Sequence, residues 1–287
     1  MAVNNSLAKS QRLGLTAYLT QDAVKDQINS IVGGKDGTRF VTAIVSAVNA
    51  NPALQECTNP SILSAALLGH SLKLSPSPQL GQYYMVPFND NKKGAKVAQF
   101  QLGYKGYIQL ALRSGQYKKL NVLAIKEGEL IRFDPLNEEI EVNLIENEVA
   151  REKAPTIGYY AMFEYTNGFR KAMYWSREKM ESHAEKYSQG YKAKKGFTFW
   201  EKDFDAMAYK TMLRQLISKW GVMSIEMQSA LDSDMAVINE DGTKTYVEND
   251  DDIVAESEAK VVEDPKEKKQ DKPADDAADA LFGGGEK

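Results

Sequence analysis

The chain has 287 residues, 43% of them apolar, so it is long enough to bury one large core or two modest ones. It has no apolar leader and no run of about 18 apolar residues, so we expect a cytoplasmic protein without a membrane-spanning helix. The net charge of -4 does not exclude an anionic partner, because residues 240–287 hold 16 Asp/Glu against 7 Lys/Arg and the remainder is basic.

The first half of the chain reads as three helices followed by a hairpin. Apolar spacing and glycine stops predict helices over residues 21–32 and 37–50. Asn59 with Pro60 starts a third helix, which we expect to be almost wholly buried. Alternating residues predict strands over 82–88 and 96–102. The turn between them reads NDNKKGA, so we expect a basic hairpin tip that carries Lys92, Lys93 and Lys96.

The second half reads as strands enclosed by helices. We predict a helix over 104–114, strands over 119–125 and 130–133, and a hairpin of 157–164 with 169–175 around Asn167-Gly168. Ser176 caps a polar helix that ends near residue 187, and helices over about 200–220 and 224–235 follow. The fold class is therefore α+β, with antiparallel hairpins packed against a long helix.

The composition divides the chain into three parts. We predict a flexible leader at 1–19, a binding and self-association core at 20–239, and a disordered acidic tail at 240–287. Leu281 and Phe282 follow a run of acids near the end of the tail, so the tail is either a short partner-binding motif or a solubilising appendage. The helices at 21–32 and 224–235 either join neighbouring subunits or pack within their own.

The sequence supports no catalytic site. A phosphate-binding loop requires Ser or Thr after its lysine, and GGKDGT has Asp36 there. His183-Ala184-Glu185 fits part of a zinc deaminase signature, but one cysteine cannot supply the rest. Cys57 we expect to be a small buried hydrophobe. We therefore expect no catalytic residue, no bound metal and no cofactor.

The segment QLGYKGYIQLALRSGQYKK, residues 101–119, carries the most informative pattern. If 104–114 is helical, Lys105, Gln109 and Arg113 form one polar stripe, while Tyr104 or Tyr107 can face the protein. Gly103 and Gly106 would let a phosphate approach the start of that helix, and Lys118 with Lys119 extends its basic edge. Residues 57–126 contain nine Lys/Arg and a single acid, where average composition places roughly eight acids.

Two further segments repeat the basic pattern. Lys210 and Arg214 share one face of the long C-terminal helix. The loop QGYKAKKG offers Lys192, Lys194 and Lys195. Lysine, arginine and tyrosine in such an arrangement are typical of a protein that binds single-stranded nucleic acid. The alternative is an ordinary amphipathic helix with a solvated face, core tyrosines and loop lysines that serve solvation.

At these residues the sequence resembles the RecT family of phage recombinases. The resemblance rests on Gln101-Leu102-Gly103-Tyr104-Lys105-Gly106 with the Leu110 to Gly115 block, on Asn59-Pro60-Ser61, and on Ala208-Tyr209-Lys210 with Arg214, Leu216 and Trp220. It covers roughly residues 20 to 235 and leaves out the acidic tail.

The resemblance implies an ATP-independent protein that anneals single-stranded DNA inside a bacterial host and holds the new duplex in an oligomeric ring or helical filament. It also implies an antiparallel sheet with a long helix around a basic groove, and a phage exonuclease as partner. By position, the groove would be lined by Lys105, Arg113, Lys210 and Arg214, with Tyr104, Tyr107, Gln109, Lys118 and Lys119 at its edges.

Two alternatives stay open from the sequence. One is a metal-dependent DNA-processing enzyme that shares the basic surface. The other is an adaptor that acts through its acidic tail. We expect that tail to contact the exonuclease or a host single-strand-binding protein.

Overall fold

The computed structural model describes residues 14–90, 94–196, 198–239 and 241–246. Lys92 and Lys93, most of the predicted leader and most of the acidic tail, with Leu281 and Phe282, lie outside these ranges. The described part of the chain holds no helix that is both long and apolar enough to cross a membrane.

The predicted α+β class with antiparallel strand pairs is confirmed. The helices are α1 (Leu15–Leu19), α2 (Asp22–Val32), α3 (Gly34–Ala50), α4 (Asn59–Ser71), α5 (Tyr104–Arg113), α6 (Glu148–Lys153), α7 (Arg177–Tyr187), α8 (Gln189–Lys192), α9 (Phe199–Lys202), α10 (Phe204–Trp220) and α11 (Ile225–Ser233), and a 3-10 helix covers Pro52–Glu56. The strands are β1 (Tyr83–Asp90), β2 (Ala95–Leu102), β3 (Tyr117–Lys126), β4 (Leu130–Asp134), β5 (Glu139–Val142), β6 (Thr156–Tyr165), β7 (Arg170–Ser176), β8 (Ala236–Ile238) and β9 (Lys244–Tyr246).

The first sheet has the strand order β1-β2-β8-β9. Its β1-β2 hairpin runs in continuous register from Tyr83 opposite Leu102 to Asp90 opposite Ala95. Helix α4 packs on β2, and Ser61 Oγ accepts a hydrogen bond of 2.8 Å from the Ala98 N–H. A buried polar side chain of α4 therefore satisfies a buried backbone donor of β2.

The second sheet, β3-β6-β7, supports the central helix α10. Gly168 has φ +87°, a conformation that suits glycine, and this residue closes the predicted Asn167-Gly168 hairpin between β6 and β7. Helix α10 packs on all three strands and on α5. It is therefore the element that joins the two halves of the fold, and its apolar face is fully buried at Ala208, Met212, Leu213, Leu216 and Ile217.

The predicted continuous helix from about residue 200 is wrong at its start. The backbone leaves the helical region at Asp203, with φ -145° and ψ 76°, and the Asp203 side chain accepts a hydrogen bond of 3.0 Å from the Ala206 N–H. Asp203 thereby caps α10. The preceding turn is a separate short helix, α9, held by a reciprocal Thr198–Glu201 capping box.

A small unit built around Glu129 was not predicted. This fully buried carboxylate accepts hydrogen bonds from the backbone N–H groups of Lys126 and Ile145 and from Arg151, whose Nε lies 2.6 Å away. Arg151 belongs to α6, a helix that was not predicted, and β5 pairs with β4 beside it. Burial alone would raise the pKa of Glu129, but these hydrogen bonds outweigh it and hold the pKa below its usual range.

The described residues differ from the predicted division at both ends of the core. Leu15–Leu19 is helical and Leu19 is fully buried, within the stretch that was predicted to be a flexible leader. At the other end, Lys244–Tyr246 forms β9 and pairs with β8, although the tail was predicted to begin at residue 240. The division itself stays a prediction for the residues beyond.

Candidate nucleic-acid interface

A groove of about 360 Å³ lies between β1, the start of α5 and the start of α10. Three rings, Tyr84, Tyr104 and Phe199, contribute to its lining, and two lysines, Lys202 and Lys210, lie along it. Rings and cations that line one concavity suit a polynucleotide, because bases stack on rings while phosphates meet ammonium groups. Tyr84, Phe199 and Lys202 were not predicted, although the alternation of β1 could have placed Tyr84 on the opposite face from Tyr83.

Lys105 lies beside two residues that line this groove, Tyr84 and Tyr104. Its aliphatic stem runs beside Gly81, where the Tyr84 hydroxyl also lies, and its Nζ is 5.9 Å from the centre of the Tyr104 ring. Lys105 is exposed and Tyr104 is half-buried. Of the predicted residues, Lys105, Tyr104 and Lys210 are therefore the ones that the structure brings together at this groove.

The predicted polar stripe on α5 is exposed, but its residues do not all lie at the same groove. Gln109 and Arg113 both face outward. Arg113 NH1 donates a hydrogen bond of 2.8 Å to the Leu72 carbonyl, so Arg113 ties α5 to the end of α4. It lies two turns, about 12 Å, along the helix from Lys105, beside Ser224 and Glu226 in a separate depression. The expectation that Arg113 lines the same groove as Lys105 is corrected accordingly.

Tyr107 was expected at the edge of the groove, and the structure contradicts this. Its ring is fully buried, and its hydroxyl lies 3.3 Å from Asp234 Oδ2 and donates to it. Burial, with a contribution from the Asp234 carboxylate, raises the pKa of Tyr107, so the hydroxyl stays protonated as a donor. Tyr107 therefore cannot stack on a base and instead belongs to the core.

Gly103 and Gly106 also have a different role from the one expected. Both are buried. A Cβ added at Gly103 would lie 2.2 Å from the Gly81 carbonyl oxygen, and one added at Gly106 would lie 2.1 Å from the Gln82 carbonyl oxygen. The Gly103 N–H donates to the Gln82 carbonyl at 2.9 Å. These glycines let the chain before β1 pack against the start of α5, and they leave no room there for a phosphate.

Lys210 and Arg214 share a face of α10 as predicted, but both contact a carboxylate that was not foreseen. Asp234 has a fully buried side chain; its Oδ1 lies 3.1 Å from Lys210 Nζ and its Oδ2 lies 2.6 Å from Arg214 NH1. Lys210 opens into the groove, whereas Arg214 opens into another depression beside Gln228 and Asp232. The trio retains a net charge of about +1, since two cations share one carboxylate.

Three other predicted lysines form ion pairs; Lys118 and Lys119 are exposed, and Lys96 is partly buried. Lys118 and Lys119 both contact Glu164, at 2.6 and 3.6 Å, and the Lys118 hydrogen bond is the main cause of the lowered pKa of Glu164. Lys96 forms an ion pair with Glu56. The carboxylates that are scarce in residues 57–126 are thus supplied by other parts of the chain.

The loop lysines lie on the surface. Lys192, Lys194 and Lys195 are exposed, and Lys194 has a positive φ of 50°. Cys57 is fully buried, as predicted. Within the described ranges, no group of three His, Cys, Asp or Glu side chains could hold a metal ion.

Comparison with known proteins places these residues in a family context. A model of the RecT family matches residues 38–255. The uncharacterized protein YqaK of Bacillus subtilis (strain 168) is 38% identical over 293 residues, covering 98% of this chain and 94% of that protein. Protein RecT of Escherichia coli (strain K12) is 29% identical over 235 residues, covering 80% of this chain and 84% of that protein. The span matched by the family model includes the groove and Asp234.

Proposed function

The chain belongs to the RecT family, and on that premise we propose that it binds single-stranded DNA and anneals complementary strands in homologous recombination without ATP. The observation that carries this proposal is the groove lined by Lys202, Lys210 and the rings of Tyr84 and Tyr104, with Lys105 beside those two rings. Family membership supports the proposed annealing activity, and the composition of the groove supports its assignment as the DNA-binding site.

The groove suits a strand of any sequence. Lysine ammonium groups neutralise phosphates by displacing counterions, which does not depend on the base. An aromatic ring contributes about 1–3 kcal/mol for each base that stacks on it, and every base offers such a face. Watson-Crick pairing with a second strand then supplies the sequence selection, so the protein itself needs no base-specific contact.

We further propose that the protein works as a ring or helical filament that holds the annealed duplex. Two helices at the periphery support this, because α2 exposes half of Ile31 and α11 exposes 87% of Ile225. Exposed large apolar side chains on separate helices are suited to contact between copies. A phage exonuclease that supplies single strands, and a host single-strand-binding protein met by the acidic tail, complete the proposed set of partners in the bacterial cytoplasm.

The test of this function uses Lys105→Ala with Lys153→Ala as the matched control. Both lysines are exposed, but Lys153 lies on α6. Labelled single strands are titrated at several salt concentrations, and annealing of the complementary strand is followed in EDTA without nucleotide. We expect K105A to weaken binding to every sequence and to flatten the salt slope by about 0.7, while K153A behaves as the wild type.

Three outcomes would count against parts of the proposal. Equal binding and annealing by K105A and K153A would remove the groove assignment. Cleavage of the labelled strand in Mg²⁺ would favour the metal-dependent enzyme. A chain lacking residues 247–287 that no longer anneals would favour a role centred on the tail.

A further inference from the structure

Asp234 is the point at which three separate elements meet. Its Oδ1 accepts hydrogen bonds from the Leu102 N–H at 2.9 Å and from Lys210 at 3.1 Å. Its Oδ2 accepts from Tyr107 at 3.3 Å and from Arg214 at 2.6 Å. The end of β2, the first turns of α5 and the cationic face of α10 are therefore held by one carboxylate whose side chain has no exposed surface.

The two cations require such an anion. Lys210 and Arg214 stand one helical turn apart on α10, and their side chains are 12% and 38% exposed. Two positive charges this close together and largely withdrawn from water are costly unless they are paired. Asp234 compensates one of these charges and leaves the other for a ligand.

The exposed edges of the same cations point outward on either side of Asp234. Lys210 faces the groove, and Arg214 faces the depression next to Gln228. Lysine and arginine bind phosphate oxygens with the same charge-assisted hydrogen bonds that they form with carboxylates. Asp234 and a DNA phosphate are thus alternative anions for one pair of cations.

We propose that Asp234 is an internal counter-ion that limits the positive charge offered to a DNA strand. This inference rests on the proposed function and concerns the regulation of that same site. By holding Arg214, Asp234 keeps one phosphate contact from forming, so the strand binds less tightly and can be released and re-paired during annealing. The competing explanation is that Asp234 only orients Lys210 and Arg214 toward DNA, which makes the opposite prediction.

Asp234→Asn separates the two explanations. Asparagine keeps an oxygen for Leu102 and Lys210, and it can turn its amide toward the Tyr107 hydroxyl, which is able to accept. Arg214 then loses its carboxylate partner and becomes available to phosphate. The matched control is Glu152→Gln, which changes the net charge equally at an exposed position of α6.

The experiment titrates a labelled oligonucleotide against the full-length wild type, D234N and E152Q between 50 and 200 mM salt. We expect D234N to bind more tightly at 50 mM, with a salt slope steeper by about 0.7, which is a further two- to threefold loss of affinity over this range. E152Q should match the wild type. Weaker binding by folded D234N, or an unchanged slope, would overturn the proposal.

A second pair of variants covers the case in which D234N does not fold. Arg214→Gln removes the second cation, so D234N/R214Q restores the charge balance around Lys210. We expect D234N/R214Q to bind DNA more tightly than R214Q, and equal or weaker binding would contradict the counter-ion role. The proposed function fails separately, if the wild type itself does not bind the oligonucleotide.

Discussion

Replacing Gly106 with alanine places a methyl group against the chain that leads into β1. The new Cβ would lie 2.1 Å from the Gln82 carbonyl oxygen and 2.8 Å from Leu102 Cδ1. The Gln82 oxygen cannot easily move away, because it also accepts the hydrogen bond from the Gly103 N–H at 2.9 Å. Relief therefore requires α5 to separate from β1.

The magnitude follows from two opposing effects. Alanine in place of glycine stabilises a helix interior by about 1 kcal/mol. Overpacking costs about 1–3 kcal/mol and occasionally more, and a clash with backbone belongs at the upper end. We expect a net loss of about 2 kcal/mol, which lowers Tm by about 4–8 °C in a protein of this size.

Thermal unfolding of Gly106→Ala, read by circular dichroism or calorimetry, checks this expectation. Gly14→Ala is the control, since nothing lies within 4 Å of its added Cβ. If Gly106 instead serves the approach of a phosphate, G106A keeps its Tm and loses DNA affinity. That pattern would refute the packing argument.

Three further predictions concern buried groups. Glu129→Gln leaves Arg151 without its buried partner and should lower the free energy of unfolding in urea by about 3 kcal/mol at pH 7. Because the folded-state pKa of Glu129 is lowered, this difference in stability from the wild type should shrink as the pH falls below the usual glutamate range. A difference that stays constant with pH would contradict the pairing. Tyr107→Phe removes the hydroxyl donated to Asp234 and should cost about 1 kcal/mol, whereas Tyr104→Phe, at the groove, should leave Tm unchanged. Cys57 has no exposed surface and should react with a thiol reagent only after denaturant is added; rapid reaction of the native protein would show that it is accessible.

Local patterns predicted most of the secondary structure. Alternation and turn residues predicted the β1-β2 and β6-β7 hairpins, because the two strands of a hairpin and their turn are adjacent in the sequence. The break at Asp203 was missed, since the apolar spacing continues through a residue that also caps a helix. Helix α6 is polar and short, and its stabilising contact is a buried ion pair that periodicity does not reveal.

Local patterns also predicted part of the candidate site. Helical spacing placed Lys105 on an exposed face of α5, and placed Lys210 and Arg214 on one face of α10. Spacing also allowed either Tyr104 or Tyr107 to face inward, and only packing decides that Tyr107 is the buried one. Asp234 could not be found this way, because it meets these side chains through the fold rather than through a local pattern.

The Asp234 hydrogen bond to Leu102 joins residues 132 positions apart. A contact of such sequence separation forms only when both ends are available to the folding chain. During synthesis, β1, β2 and α5 leave the ribosome long before Asp234 does. The completed arrangement of β2, α5 and α10 therefore assembles late in translation. A nascent chain that has not yet reached residue 234 lacks it.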